Sequence, residues 1–534
     1  MSKKRTLLRN ATALLGDALT HDPQPLDVLI EGDRIAAIAP AGTLATEGRT
    51  IDLSHRMLVP GIVNGHQHSH EHFQRGRTEN LPLELWMHLV RTRIPVTLTP
   101  RQVYLRTLIG AIESLRTGCT TLVDDMALGA AINREHIDAA LQAYEDAGIR
   151  ALVGFAMMDK PIVDNFPFVE EHFPQALAAE LRAAPRPAPQ EYLALVRELA
   201  KDRHPQSNRV GVLVSVSAPQ RCTEPFLLAV RALADELALP VITHVQETRM
   251  QVVTGQLFYG CPMVEYLDRI GFLKPATSLI HAVWLNPCEI AALARTGATA
   301  QHNPWSNLLL GSGVQPVREL LEAGVNVSLG SDGSCSTVTV NMLNVLGSAA
   351  AISKLRGDEP SRWLSAREAL QAGTLSGGQA LGFGDSLGSL RVGAIADLVA
   401  YRTDTVTFTP FNDPVRQLVY GERGAGLDFS MVAGGVASEG GALKRIDEAA
   451  ILREIENEFH TLAGKYTEAE ASVAPVLEAV EAIYRSVGRC QSKTRAGGSR
   501  RLPTRSRTPI RAVSSTVTSS PTTFCWTAST GARS

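Results

Sequence analysis

The chain has 534 residues, with 52 Lys and Arg against 54 Asp and Glu, for a formal charge of −2. At roughly 150 residues per domain this length allows two to four domains, although one large barrel could absorb most of it. Hydrophobic residues make up 44 % and charged residues 20 %, so a sizeable core can form and wholesale disorder is excluded. No apolar run reaches the ~18 residues that a membrane span needs.

The basic start, Met1-Ser-Lys-Lys-Arg, continues as Thr6-Leu-Leu-Arg-Asn-Ala-Thr, which is too polar for the core of a secretory signal. Residues 5–60 then read as short strands. The segment Leu26-Asp-Val-Leu-Ile-Glu-Gly-Asp-Arg-Ile-Ala-Ala-Ile holds two apolar runs around Glu31, Gly32 and Asp33, a hairpin signal. Met57-Leu-Val-Pro-Gly-Ile-Val-Asn-Gly reads as a strand that opens into a polar loop.

From residue 61 to 384 short apolar runs alternate with helical patterns. After the strand before Gly65 come Thr120-Thr-Leu-Val-Asp, Arg150-Ala-Leu-Val-Gly-Phe, Val210-Gly-Val-Leu-Val-Ser-Val and Pro240-Val-Ile-Thr-His. Ser278-Leu-Ile-His-Ala, Gly297-Ala-Thr-Ala-Gln and Val325-Asn-Val-Ser-Leu-Gly complete a set of eight. Continuous apolar strands with helices between them imply a parallel sheet. Eight such units predict a (β/α)8 TIM-type barrel, with its site at the C-terminal strand ends.

Residues 385–445 return to short strands and Gly-rich turns, residues 446–490 have helical periodicity, and no repeat at a solenoid period is present. Residues 491–534 carry eight bases, no acid and eighteen Ser or Thr, a pattern expected to be a disordered basic tail. Without that tail the chain has 44 basic against 54 acidic residues, a charge of −10, so the near neutrality of the whole says nothing about partners. A nucleic-acid-binding arm is less favoured for the tail than a non-functional extension.

Seven cysteines, at 119, 222, 261, 288, 335, 490 and 525, form no C-x-x-C pair. Neither a disulfide framework nor a cysteine-rich zinc module is indicated, and a reducing cytoplasm is expected. Pro287-Cys288 has no second cysteine three residues on, which excludes a cytidine-deaminase-type zinc site.

Histidine placement carries the chemistry. His66 and His68 follow the first barrel strand, and alternate residues of an extended segment face the same side. By itself such a pair is usually a surface loop. His244 ends Val241-Ile-Thr-His, His281 ends Leu279-Ile-His, and Asp332 follows Val327-Ser-Leu-Gly-Ser. Imidazoles plus a carboxylate at successive strand ends suit zinc or iron, with a position left for water. Glu247, three residues after His244, is placed to take and return a proton. The fourth strand ends without a lysine, so a carboxylated lysine bridging two metals is unsupported and one ion is expected.

The chain resembles the amidohydrolase superfamily, in its deaminase and chlorohydrolase branch. The matches are Pro60-Gly-Ile-Val-Asn-Gly-His-Gln-His, Gly118-Cys-Thr-Thr, Thr243-His-Val-Gln-Glu, Ile280-His-Ala-Val, His302-Asn-Pro-Trp-Ser-Asn, Leu329-Gly-Ser-Asp-Gly and Gly388-Ser-Leu-Arg-Val-Gly-Ala-Ile-Ala-Asp-Leu. They follow the family's order across residues 5–445.

The resemblance implies a barrel at 61–384 inserted into a small β-sandwich made of 1–60 plus 385–445, with a helical extension at 446–490. It implies one divalent ion per subunit, zinc ahead of iron, held by His66, His68, His244 and Asp332. Glu247 would shuttle the proton, His281 would hydrogen-bond the water or the substrate, and Asp332 would act as first base. The implied reaction is attack of metal-activated hydroxide on a ring carbon of an N-heterocycle (nucleobase-, pterin- or triazine-like), with loss of ammonia. Hydrolysis of a C–Cl, N-alkyl or cyclic amide bond is the alternative, and a non-catalytic binding protein a remote one. A homo-oligomer is implied; no nucleic-acid or membrane partner is expected.

Relatives that deaminate thioadenosine or adenosylhomocysteine have a fourth-strand loop like His-Ala-Pro-Tyr. Here the loop is Ser217-Ala-Pro-Gln, which counts against those nucleosides. Trp86, Gln220, His302 and Trp305 are candidates for substrate contact. For Trp86 the competing reading is ordinary packing, for Gln220 a solvated loop, and for His302 a supporting place beside the site. His70 and His72 are expected at the surface, and Arg75 and Arg77 need no functional account.

Overall fold

The computed structural model describes residues 4–16 and 22–495. Its centre is a ring of eight parallel strands: Ile62–Gln67, Cys119–Ala127, Arg150–Ala156, Val210–Val212 continued by Val214–Val216, Val241–Val245, Thr277–His281, Thr299–His302 and Val327–Leu329. Adjacent strands pair in parallel register. The fourth is interrupted at Leu213, whose amide donates to Val153 O at 3.1 Å and keeps the ring continuous. The last and first strands meet where the Asp332 amide donates to His66 O and the Ser331 amide to Asn64 Oδ1, both at 2.9 Å. Almost every strand residue is buried, because helices cover the outside and side chains fill the inside.

The flanking domain draws on both ends of the chain. Its nine strands form one hydrogen-bonded sheet that branches at Arg5–Ala13, which pairs with Gln24–Glu31, Arg49–Asp52 and Arg56–Pro60. Leu398–Arg402 joins on the far side of Arg56–Pro60. The branch and the register shifts along these pairs bend the sheet around a core of Leu8, Val28, Ile30, Leu398 and Phe429, the β-sandwich into which the barrel is inserted. Glu31 faces Arg34 in the N-terminal hairpin, leaving Gly32 and Asp33 as the turn. Arg150 on the third barrel strand anchors this domain: its Nε lies 2.9 Å from Asp397 Oδ2 and its Nη2 3.2 Å from Oδ1, all buried.

Residues 385–445 are not all short strands. Helix Pro414–Gly421 starts with Asp413 accepting from the Arg416 amide at 3.0 Å and has proline at its first turn, where no amide donor is lost. Its inner face, Val415, Leu418 and Val419, packs into the barrel's core.

The C-terminal extension is two helices, Glu448–Ala471 and Ala474–Arg495. The first lies along barrel helix Pro100–Arg116 through the Arg101–Glu454 and Gln102–Glu458 contacts and is tied to Arg77 by Glu470. The second carries Val476, Ala479, Val480, Ile483 and Val487 at helical spacing, and this stripe is buried against Leu83, Trp86, Met87 and Phe166. The expected tail overlaps that helix up to Arg495; its remainder, 496–534, lies outside the described residues. Among the described residues no helix is long and apolar enough to cross a membrane.

Candidate active site

The C-terminal strand ends bring His66, His68, His244 and Asp332 together. One ligand atom from each of the three histidines lies within 4.8 Å of the others, and the rings pack with centroids 4.6–5.4 Å apart. Asp332 Oδ1 is 3.5 Å from His66 Nε2 and 3.4 Å from His68 Nε2. Where the chain leaves the fifth, sixth and eighth strands the backbone is unusual: Gln246, His281, Ala282 and Asp332 all have positive φ, between 42° and 69°. Such angles are costly outside glycine and concentrate where a site dictates them.

The groups behind the rings set their chemistry. His68 Nδ1 donates to Asp125 O and His244 Nδ1 to Ser217 O, each at 2.8 Å, which leaves both Nε2 lone pairs aimed inward. Burial lowers His68 to about 4, helped by neighbouring His66, and takes His244 well below the usual imidazole range. Burial would raise Asp332, but His66, His281 and His68 around it hold the carboxylate far below its ordinary value. His66 is fully buried with neither ring nitrogen hydrogen-bonded. Three neutral imidazoles and one carboxylate, with an orphaned buried nitrogen among them, fit a divalent zinc- or iron-type ion.

A second pair faces this set. Glu247 Oε2 and Asp332 Oδ2 lie 3.5 and 3.7 Å from His281 Nε2, while His281 Nδ1 is held by Asn307 Oδ1 at 2.9 Å. Burial raises Glu247 to about 7, against the opposing pull of His281, which is the range useful for proton transfer near neutrality. The cavity over these groups encloses about 40 Å³. Helix Leu83–Val90 roofs it with Leu83, Trp86, Met87 and Val90, and Leu310 adds one wall.

Of the residues considered for substrate contact, only Trp86 lines this cavity. Gln220 is buried outside it, its backbone oxygen accepting from Lys160. His302, the last residue of the seventh strand, is buried with both ring nitrogens unpartnered, also outside the lining. Trp305 lies elsewhere: helix Pro304–Leu309 turns it outward into an exposed cleft beside Leu355 and Arg423. His72 is buried, with Nδ1 2.9 Å from Ser334 Oγ, and His70 accepts from the Ala127 amide at 3.3 Å, so neither is a surface residue. Arg75 and Arg77 pair with Glu113 and Glu470.

Glu71, Arg91 and Arg221 also line the cavity and were not singled out from sequence. Arg221 directly follows Gln220 in the loop after the fourth strand, and of the two only Arg221 lines the cavity.

Comparison with known proteins identifies the family. The model for "Amidohydrolase family" matches residues 57–436. The chain is 32 % identical over 438 residues, 82 % of its length and 95 % of the relative, to a 5'-deoxyadenosine deaminase of Methanothermobacter thermautotrophicus. It is 32 % identical over 430 residues, 80 % of its length and 92 % of the relative, to a 5-methylthioadenosine/S-adenosylhomocysteine deaminase of Thermococcus kodakarensis. Among solved structures, a zinc-bound adenosine deaminase from Xanthomonas campestris superposes with a TM-score of 0.74 at 28 % identity, covering 85 % of this chain and 98 % of that one. A zinc complex of atrazine chlorohydrolase from Arthrobacter aurescens gives 0.76 at 25 % identity, covering 85 % and 100 %. A family model over residues 57–436 and deaminase relatives aligned along most of their length leave one assignment: the chain belongs to the amidohydrolase family.

Proposed function

We propose that this protein is a metal-dependent aminohydrolase that releases ammonia from a carbon of an N-heterocyclic small molecule. The observation that carries the reading is the cavity in which His281 lies between Glu247 and Asp332 beside three inward-aimed imidazoles. The relatives named as adenosine-type deaminases support an amino group on a purine-like ring carbon.

His66, His68, His244 and Asp332 would hold the ion, which when bound lowers the pKa of water and so supplies a nucleophile at neutral pH. Asp332, kept ionised by its imidazole neighbours, is the first acceptor for the water proton. Glu247 carries a proton from the water side to the departing amine, a role suited to a carboxyl that burial raises toward neutrality. His281, fixed by Asn307, hydrogen-bonds the reacting oxygen, and Trp86 offers a flat wall to the ring.

One ion per subunit is favoured by His68. It also belongs to a second cluster with His70 and Glu71, but its Nδ1 is committed to Asp125 O, so its single free lone pair serves one ion.

The test is a panel of aminated rings (guanine, cytosine, adenosine, pterin and aminotriazine) offered to zinc- and iron-loaded protein, with ammonia as readout. If no aminated ring yields ammonia while a chlorinated or N-alkylated ring is consumed, the chlorohydrolase-type reaction replaces this one. Less than about half an equivalent of metal after purification without chelator would point to a non-catalytic barrel.

A further inference from the structure

Two guanidiniums share the cavity with the donor set. Arg91 directly follows the roof helix, and among the described residues its side chain makes no hydrogen bond or ion pair; Asp125 and Glu71 act on it only through space. Arg221 is 7 % exposed. Its Nη1 donates to Ser217 Oγ and its Nη2 points at Met87 Sδ, both at 2.9 Å, so neither acceptor is charged.

The nearby acids act through space, Asp125 and Glu71 on Arg91 and Glu247 and Glu84 on Arg221, and among the described residues none forms an ion pair with either guanidinium. Glu71 Oε2 accepts from the Cys335 amide at 3.1 Å, Glu247 lies against His281, and Asp332 against His66 and His68. Burial and the nearby Arg91 lower the Arg221 guanidinium to about 10, so both arginines remain charged at neutral pH and repel one another. Among the described residues Arg91 has no side-chain hydrogen-bond acceptor and Arg221 only neutral ones, so an anion between the two guanidiniums would engage their free donors and offset their mutual repulsion. The small Ser217 side chain leaves room for the Arg221 fork and accepts from its Nη1.

We propose that Arg91 and Arg221 form an anion subsite and that the substrate carries a carboxylate directly on its heterocyclic ring; this rests on the aminohydrolase reading above. The guanidinium fork matches a carboxylate with two parallel hydrogen bonds. A phosphate dianion is disfavoured because Glu71, Glu247 and Asp332 share the lining with these two arginines and would repel its second charge. The anion belongs on the ring, not on a distant arm, because the arginines line the same small space as the donor set and Glu247. The carboxylate is unchanged by the reaction: water adds to the ring carbon, the C–N bond breaks, and ammonia leaves with the transferred protons.

The experiment compares matched pairs, cytosine with cytosine-5-carboxylate and pterin with pterin-6-carboxylate, on zinc-loaded protein by ammonia release. Calorimetric binding of the same pairs to zinc-loaded Glu247→Gln provides a readout independent of turnover. S-adenosylhomocysteine supplies a carboxylate on a long arm.

The expected result is a gain in kcat/KM and in affinity of about 10- to 100-fold for the ring carboxylate, the range of a charge-assisted hydrogen bond. That ratio should fall toward one in Arg91→Gln and Arg221→Gln, with zinc content measured on each variant. Equal turnover and equal binding of the carboxylated and parent rings would overturn the subsite and leave the aminohydrolase reading standing. Tighter binding of ring carboxylates with no ammonia from any ring would retain the subsite and overturn the reaction. A gain confined to S-adenosylhomocysteine would also overturn it, by moving the anion off the ring.

Discussion

Replacing Glu247 with glutamine separates proton transfer from every other part of the site. The side chain is 2 % exposed and burial raises its carboxyl from an ordinary value of 4.5 to about 7. The amide has the same shape and keeps the backbone hydrogen bond to Gln251, but it cannot accept a proton. Ammonia release should fall ~10²–10⁴-fold with metal content unchanged, since Glu247 is outside the proposed ligand set.

The same burial predicts a stability effect of opposite direction. A carboxyl whose folded pKa lies above its unfolded value costs nothing below pH 4.5, where both states are protonated. The penalty grows as pH rises and is complete above 7, at on the order of 3 kcal/mol for a shift of this size. Metal-free Glu247→Gln should therefore unfold at a higher denaturant concentration than metal-free wild type at pH 8, with the gap closing toward pH 4.5. The wild-type rate should also fall with acid as Glu247 becomes protonated, with the limb at or below pH 7 because a bound cation favours the charged form. Turnover within about three-fold of wild type would remove Glu247 from the proton path, and equal pH 8 midpoints would refute the burial argument.

Arg150→Met should cost about 3–5 kcal/mol in urea unfolding, because it strands the buried Asp397 carboxylate against the flanking domain; Arg150→Met with Asp397→Leu should recover much of that loss. Gly333→Ala places a methyl group on the Glu71 carboxylate beside Asp332, whose Oδ1 accepts from the Gly333 amide at 2.8 Å. Zinc affinity measured by competition with a chelator should drop roughly 10–100-fold, and wild-type affinity would show that Glu71 can move aside. Ending the chain after Arg495 should leave turnover and melting temperature unchanged, whereas ending it after Ser472 uncovers the Leu83, Trp86 and Met87 face and should lower both.

The barrel was legible because strands buried on both faces are continuous apolar runs, and all eight appear as such from Ile62 to Leu329. The donor set was legible because each member ends one of those runs. What pattern could not supply was direction. His281 and Asp332 reach the cavity through left-handed backbone that no local residue type announces, and Trp305 leaves it because the helix after the seventh strand turns outward. Arg91 and Arg221 look like solvated loop residues in sequence; only the roof helix and Ser217 enclose them. Helix Pro414–Gly421 was hidden among Gly-rich turns because its apolar face is three residues long.

The sheet that joins the two chain ends also sets an order of assembly. Arg56–Pro60 has Arg5–Ala13 on one side from the start, but its other neighbour, Leu398–Arg402, is made only after the whole barrel. Until then the nascent N-terminal strands present an open edge, the kind of surface through which chains aggregate. A ribosome stalled anywhere within the barrel therefore leaves a sticky fragment. The last strands to emerge act as a seal, so slowing synthesis just before residue 398 should reduce soluble yield more than slowing it after residue 443.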